Sequence, residues 1–146
     1  MASSTELTRS FPARDYVVGR EKIREYARAV GETDPLYFDV DVARAAGHVD
    51  VVAPPMFAVV YAGAAFEAAM RDPQLDIDLA MLLHSGQEFE WGELVIAGDE
   101  IVTETSLASV SERVGIRFIV FQTASRNQHD EDVCRGTWTV VVRQRK

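Results

Sequence analysis

The side chains most able to do chemistry crowd into one stretch, Gly31-Glu32-Thr33-Asp34-Pro35-Leu36-Tyr37-Phe38-Asp39, followed by Ala43, Gly47 and Val51-Val52-Ala53-Pro54-Pro55-Met56. Glu32 and Asp34 bring carboxylates. Tyr37 brings a phenol, which ionises near pH ~10 and so does not cycle protons near neutrality as a histidine would. Singly, these residues have plain structural readings: Asp34-Pro35 opens a turn, Asp39 can cap a short helix, and Pro55 suits the first turn of a helix. The remaining candidates are scattered. His84 and Glu90 share one face of a strand by simple alternation, a possible site or merely solvated polar side chains. Glu67 is the one charge on an otherwise apolar helix. Cys134 falls in a strand pattern and reads as a small core residue.

Several chemistries are excluded. There is no G-x-x-x-x-G-K and no G-x-G-x-x-G, so neither nucleotides nor NAD have a recognisable site. His48, His84 and His129 stand apart, and the chain lacks both H-E-x-x-H and C-x-x-C. Neither a metal nor a cofactor is expected. The absence of a G-x-S-x-G elbow removes the commonest serine hydrolase.

The elements that must hold the 31–56 stretch are legible from periodicity. Residues 20–30 read as a helix, with Ile23, Tyr26, Ala27 and Val30 on one face and Gly31 as its stop. Asp39 can cap a short helix through Ala46. Residues 55–70 form a helix apolar almost all round, which cannot lie on a surface and must be wrapped. At about 24 Å it is too short for a bilayer, so protein must do the wrapping, and Pro73 ends it. Residues 79–91, 99–110, 115–125 and 133–143 are long strand candidates rich in Val, Ile, Thr and Phe, and 16–18 is a short one. Polar turns at 111–115 and 127–132 make the long strands antiparallel neighbours. Residues 1–11 are polar and expected to be loose. The expectation is an α+β fold, one antiparallel sheet around one helix, spanning 1–146 as a single domain.

Composition agrees with a globular chain. It has 146 residues, 47% hydrophobic and 26% charged, with 15 basic against 23 acidic residues for a net charge of −8. Such a chain buries roughly two-thirds of its unfolded surface. A pI near 4.8 argues against nucleic acid, because a phosphate-binding face needs clustered Lys and Arg. The basic trio Arg143, Arg145 and Lys146 reads as a solubilising tail. A single cysteine excludes an internal disulfide and fits a reducing cytoplasm. No signal peptide is expected from residues 1–10, nor any membrane span.

The 31–56 stretch resembles the hydratase motif of the MaoC-like (R)-specific enoyl-thioester hydratases and hydroxyacyl dehydratases. That motif reads G-D-x-N-P-I-H-x-D, then an alanine and a glycine, then A-H-G-M. Over 26 residues without a gap, Gly31, Pro35, Asp39, Ala43, Gly47, Ala53 and Met56 coincide with it. The helix before it and the run from His84 to Asp99 are similar as well. The likeness is greatest to the dehydratase subfamily related to fatty-acid synthases and to the non-catalytic subunits of mycobacterial hydroxyacyl-ACP dehydratases.

The resemblance implies a hot-dog fold and a site in which an Asp and a His activate water for addition across an enoyl double bond. Here those positions hold Glu32 and Tyr37, and the motif's asparagine is Asp34. The family's A-H-G-M glycine donates its N–H to the thioester carbonyl; here it is Pro55, which has no N–H. No catalytic set is therefore intact. The resemblance implies instead a subunit of a dehydratase or hydratase. It would be a homo- or heterodimer whose Pro54, Pro55, Met56, Phe57 and Tyr61 line an acyl-binding surface for an acyl-CoA or acyl-ACP thioester. Three alternatives stand beside it: a self-sufficient homodimeric hydratase using Glu32 and a borrowed acid, a thioesterase using Glu67, and a silent acyl-thioester binder.

Overall fold

Six of the thirteen residues in the apolar helix are buried against a sheet. The computed structural model describes residues 9–143; Arg145 and Lys146 of the expected basic tail lie outside them. Among the described residues six strands form one antiparallel sheet, β1 (Arg9–Ser10), β2 (Arg14–Val17), β3 (Leu82–Trp91), β4 (Glu100–Arg113), β5 (Ile116–Arg126) and β6 (Asp132–Arg143). Their order is β1-β4-β5-β6-β3, with β2 also paired to β4. Three helices accompany the sheet: α1 (Arg20–Ala29), α2 (Val40–Ala45) and α3 (Ala58–Met70). No helix among the described residues is long and apolar enough to cross a membrane.

α3 lays Tyr61, Ala62, Ala65, Phe66 and Ala69 onto the sheet. Phe66 stacks on Trp138 at 4.5 Å and meets Phe121 edge-on at 5.4 Å. Small residues at 62, 65 and 69 let the helix axis approach the strands closely enough for the aromatic rings to interdigitate. At Gly136 an added Cβ would lie 2.6 Å from Thr123 Oγ1 and 3.0 Å from the Phe89 ring, so glycine is what lets Phe89 cross this row.

The sheet lies on one side of α3, and Val59, Val60, Gly63, Ala64 and Glu67 face away from it, half-buried or exposed. Three local expectations change. Adjacent prolines make residues 55–57 a 3-10 turn leading into α3. Asp78 caps a 3-10 turn at 79–81, so β3 begins only at Leu82. The β4–β5 hairpin closes on Val114 and Gly115, both left-handed at φ 51° and 74°, as a two-residue turn needs. At the N-terminal edge, Arg9–Phe11 are not loose: β1 pairs with β4, and Phe11 N–H donates to Thr105 O at 2.9 Å.

Candidate functional site

Backbone geometry explains why the 31–56 stretch has the spacing it has. Gly31 follows α1 with φ 77°, a left-handed helix stop that glycine adopts without strain. Glu32 N–H then donates to Ala27 O at 2.9 Å, which turns the chain across the end of α1. Asp34 Oδ1 accepts from Leu36 N–H at 2.9 Å and holds the 3-10 turn at 35–37. Asp39 Oδ1 accepts from the N–H groups of Asp41 and Val42, capping α2. Gly47, at φ 95°, ends it. Leu36 O accepts from Val52 N–H at 3.0 Å, and Val95 O from Ala53 N–H at 2.8 Å. The 35–37 turn is thereby pinned beside the entry to α3.

A division of labour emerges. Gly31, Asp39 and Gly47 shape the backbone, and Ala43 and Ala53 are buried packing residues. These are positions where the chain coincides with the hydratase motif. Of its departures, Glu32, Tyr37 and Pro55 are at positions to which that resemblance assigns chemistry, while Asp34 holds the 35–37 turn.

Glu32, Asp34 and Tyr37 do come together, and α1 adds a fourth member, Tyr26. Burial raises the Tyr37 phenol above its ordinary pKa, and the neighbouring Glu32 and Asp34 carboxylates raise it further. Burial and Glu32 do the same to Tyr26. Both phenols are therefore protonated hydrogen-bond donors at neutral pH. Sequence reasoning assigned Tyr26 only to an apolar helix face; the available signal was its hydroxyl, one turn before Gly31. The Tyr26 ring meets Phe57 edge-on at 5.5 Å, coupling the cluster to the start of α3.

At that start the donor is missing. Pro54 and Pro55 carry no N–H, and Phe57 N–H is spent on Pro54 O at 2.9 Å. Met56 supplies the next N–H, one residue past the family position. Pro54, Pro55 and Tyr61 line a cavity of about 210 Å³ together with Trp91, Leu94 and Val133. The other two expected lining residues are elsewhere. Phe57 is fully buried, ringed by Tyr16, Tyr26 and Tyr61, while Met56 is 46% exposed and outside the cavity. Trp91 and Leu94 were not anticipated; a large apolar side chain at the end of a strand was the only hint.

Cys134 is buried beside Tyr61. Burial pushes its thiol up to about 11, although the hydrogen bond with Tyr61 opposes this. It is a protonated core residue at neutral pH, not a nucleophile.

His84 and Glu90 do not share a face. A β-bulge between His84 and Gly86 shifts the register, and one extra residue flips the alternation. His84 stacks on Trp138 on the helix side, its Nε2 3.0 Å from Gly86 O. Glu90 lies opposite Arg135 on the other face. Glu67 is ion-paired with Arg71 at 2.7 Å, about 18 Å along the helix from Pro55, and no part of the Tyr37 cluster. Among the described residues no group of three or more His, Cys, Asp or Glu side chains converges to hold a metal.

These environments set an alkaline limit on stability. All four tyrosines, at 16, 26, 37 and 61, have raised pKa values, chiefly through burial, as does Cys134. Between the unfolded and folded pKa the unfolded chain binds fewer protons, so stability falls as pH rises. Urea midpoints are expected to hold from pH 7 to about 8.5 and to drop steeply by about pH 10.5. An unchanged midpoint at the higher pH would contradict these assignments.

Residues 6–135 match the family described as FAS1-like, dehydratase domain region. A UPF0336 protein of Streptomyces griseus is 43% identical over 132 residues, covering 90% of this chain and 88% of its own. One from Saccharopolyspora erythraea is 39% identical over 132 residues, covering 90% and 85%. Among solved structures, the HadBC (3R-hydroxyacyl-ACP dehydratase) complex of Mycobacterium tuberculosis contains a similar chain. It has a TM-score of 0.77 and 28% identity, covering 93% of this chain and 95% of that one. The R-hydratase PhaJ1 of Pseudomonas aeruginosa shares the fold, with a TM-score of 0.75 at 15% identity over 99% and 90% of the chains. The hot-dog architecture expected from the motif is the architecture found.

Proposed function

The chain belongs to the FAS1-like dehydratase-region family of hot-dog dehydratases and hydratases, and on that premise we propose that it is a subunit lacking its own catalytic groups. It pairs with a second hot-dog chain that supplies them. The reaction is reversible loss of water from a (3R)-hydroxyacyl thioester on CoA or ACP. An α-proton goes to a base and the β-hydroxyl, protonated by an acid, leaves as water, with charge gathering on the thioester oxygen between. This chain contributes the wall of the acyl site at Pro54, Pro55, Tyr61, Trp91 and Leu94.

Pro55 carries most of the weight. Charge on a thioester oxygen needs a donor that is already aimed, and a missing one costs about 3–4 kcal/mol. Tyr37 adds support, since a phenol held above its ordinary pKa cannot serve as the base. Glu32 and Asp34 are exposed carboxylates, and Asp34 is occupied in holding its turn. A thioesterase centred on Glu67 is disfavoured by the Arg71 ion pair.

The test is made in the partnered enzyme. Tyr37→Phe should leave kcat within about twofold, because the phenol touches no reacting atom. Leu94→Trp, at the cavity mouth, should raise KM for long acyl chains without changing kcat for crotonyl-CoA. A tenfold fall in kcat for Tyr37→Phe would place chemistry in this chain and refute the reading.

A further inference from the structure

We propose that the open margin of the fold, the β3 edge with the uncovered side of α3, selects by charge a hot-dog partner with a basic edge strand over a second copy of this chain. The proposal rests on the partnered reading above and names what chooses the partner.

Two surfaces meet at this margin. Among the described residues β3 is the last strand of the sheet, so there one row of its backbone donors and acceptors has no neighbouring strand, a standing invitation to another strand. Beside it, Val59, Val60, Gly63, Ala64 and Met70 line a mostly apolar groove of about 500 Å³ on α3, which the Glu67–Arg71 ion pair also borders. Leu83 is 69% exposed at the same edge. An unpaired strand edge continuous with an apolar helix face calls for a structured partner that offers both.

Charge decides which partner. From residue 67 to 93 the chain carries seven carboxylates, at 67, 72, 76, 78, 88, 90 and 93, against the one guanidinium of Arg71. Glu67 is ion-paired with Arg71 and Asp72 with Arg9, so the carboxylates that the β3 edge itself presents are the exposed Glu88 and Glu90, the latter opposite Arg135 of β6. On β3 the register separates the faces. His84, Gln87, Phe89 and Trp91 point to the helix side, and Leu83, Gly86, Glu88 and Glu90 to the outer side. In antiparallel self-pairing, outer-face residues oppose outer-face residues. Whatever the register, Glu88 and Glu90 then meet only a carboxylate, leucine, glycine or the bulged Ser85, never a cation. The one residue of β3 able to carry positive charge, His84, is on the wrong face. Like charges directly across a strand pair are destabilising and opposite ones stabilising, so Lys or Arg on the outer face of a partner strand turns the same two residues into attractive contacts.

The test mixes wild type with Glu88→Lys/Glu90→Lys and measures association by native mass spectrometry and sedimentation. At about 20 mM salt the mixed dimer should be at least about tenfold tighter than the wild-type dimer, and the advantage should shrink by about 500 mM as screening grows. The neutral pair Glu88→Gln/Glu90→Gln should also self-associate more tightly than wild type at low salt, a check independent of the reversed charges folding well. Equal affinities for mixed and wild-type dimers, or a tight wild-type dimer indifferent to salt, would overturn the proposal. So would no association in any mixture. None of these readouts involves catalysis. If charge selection appears but the lone chain proves an efficient hydratase, the functional reading fails and this one stands; an inactive chain without charge selection gives the reverse.

Discussion

A variant carrying Glu32→Asp, Asp34→Asn, Tyr37→His and Pro55→Gly is expected to gain crotonyl-CoA hydration on the order of 10⁴-fold over the wild-type chain. The size follows from what returns. A positioned acid–base pair contributes roughly 10²–10⁴-fold, and an oxyanion donor roughly 10²–10³-fold. The backbone makes so large a gain reasonable. Gly31 and the Asp34 turn already set positions 32 and 37, and the Leu36–Val52 hydrogen bond ties that turn to the chain three residues before Pro55. Single replacements should do little, because groups that act together lose most of their effect when any one is missing. Pro55→Gly alone offers a donor to a charge that no base has generated. A quadruple variant that folds normally but shows no gain would mean that the corner does not have a hydratase's geometry.

Phe57→Ala is expected to destabilise the fold by about 3–5 kcal/mol, the range for removing a buried aromatic side chain and leaving its cavity. Phe57 is fully buried and is the common contact of Tyr16, Tyr26 and Tyr61, at 6.3, 5.5 and 6.2 Å. It links β2, α1 and α3 in one cluster. Urea denaturation reads the effect directly. A loss under about 1 kcal/mol would show that the start of α3 is not anchored through this ring. Met56→Ala, one residue earlier but 46% exposed, should stay near wild type and serves as the contrast.

The sequence carried the fold well because its strongest signals were physical constraints with few solutions. An apolar helix with one charge needs a cover, and four long Val- and Thr-rich strands with short polar turns can provide one. What could not be read was how much cover a single chain gives. Apart from Glu67, the outward face of α3 is as apolar as the inward one, so composition alone says little about how much of the helix the chain's own sheet covers. The His84–Glu90 face assignment failed for a different reason. Strict alternation assumes an unbroken ladder, and the bulge at Ser85 breaks it; its one mark in residue type is the adjacent Gly86. At the site, turn and cap residues were legible because Asp, Gly and Pro have specific backbone uses. The cavity wall was not: Trp91 and Leu94 reach Pro55 through tertiary packing. Phe57 and Met56 show the same limit, since adjacent apolar residues at a helix start point in different directions and only one can be core.

The most direct test of the central claim is the turnover number of the pure, partner-free chain for crotonyl-CoA hydration. An ordinary enzyme turns over at roughly 10 s⁻¹. With the base, the acid and the oxyanion donor all replaced, the chain should fall at least about 10³-fold below that, and Glu32→Gln should change nothing. A kcat within tenfold of the ordinary value, abolished by Glu32→Gln, would contradict the account.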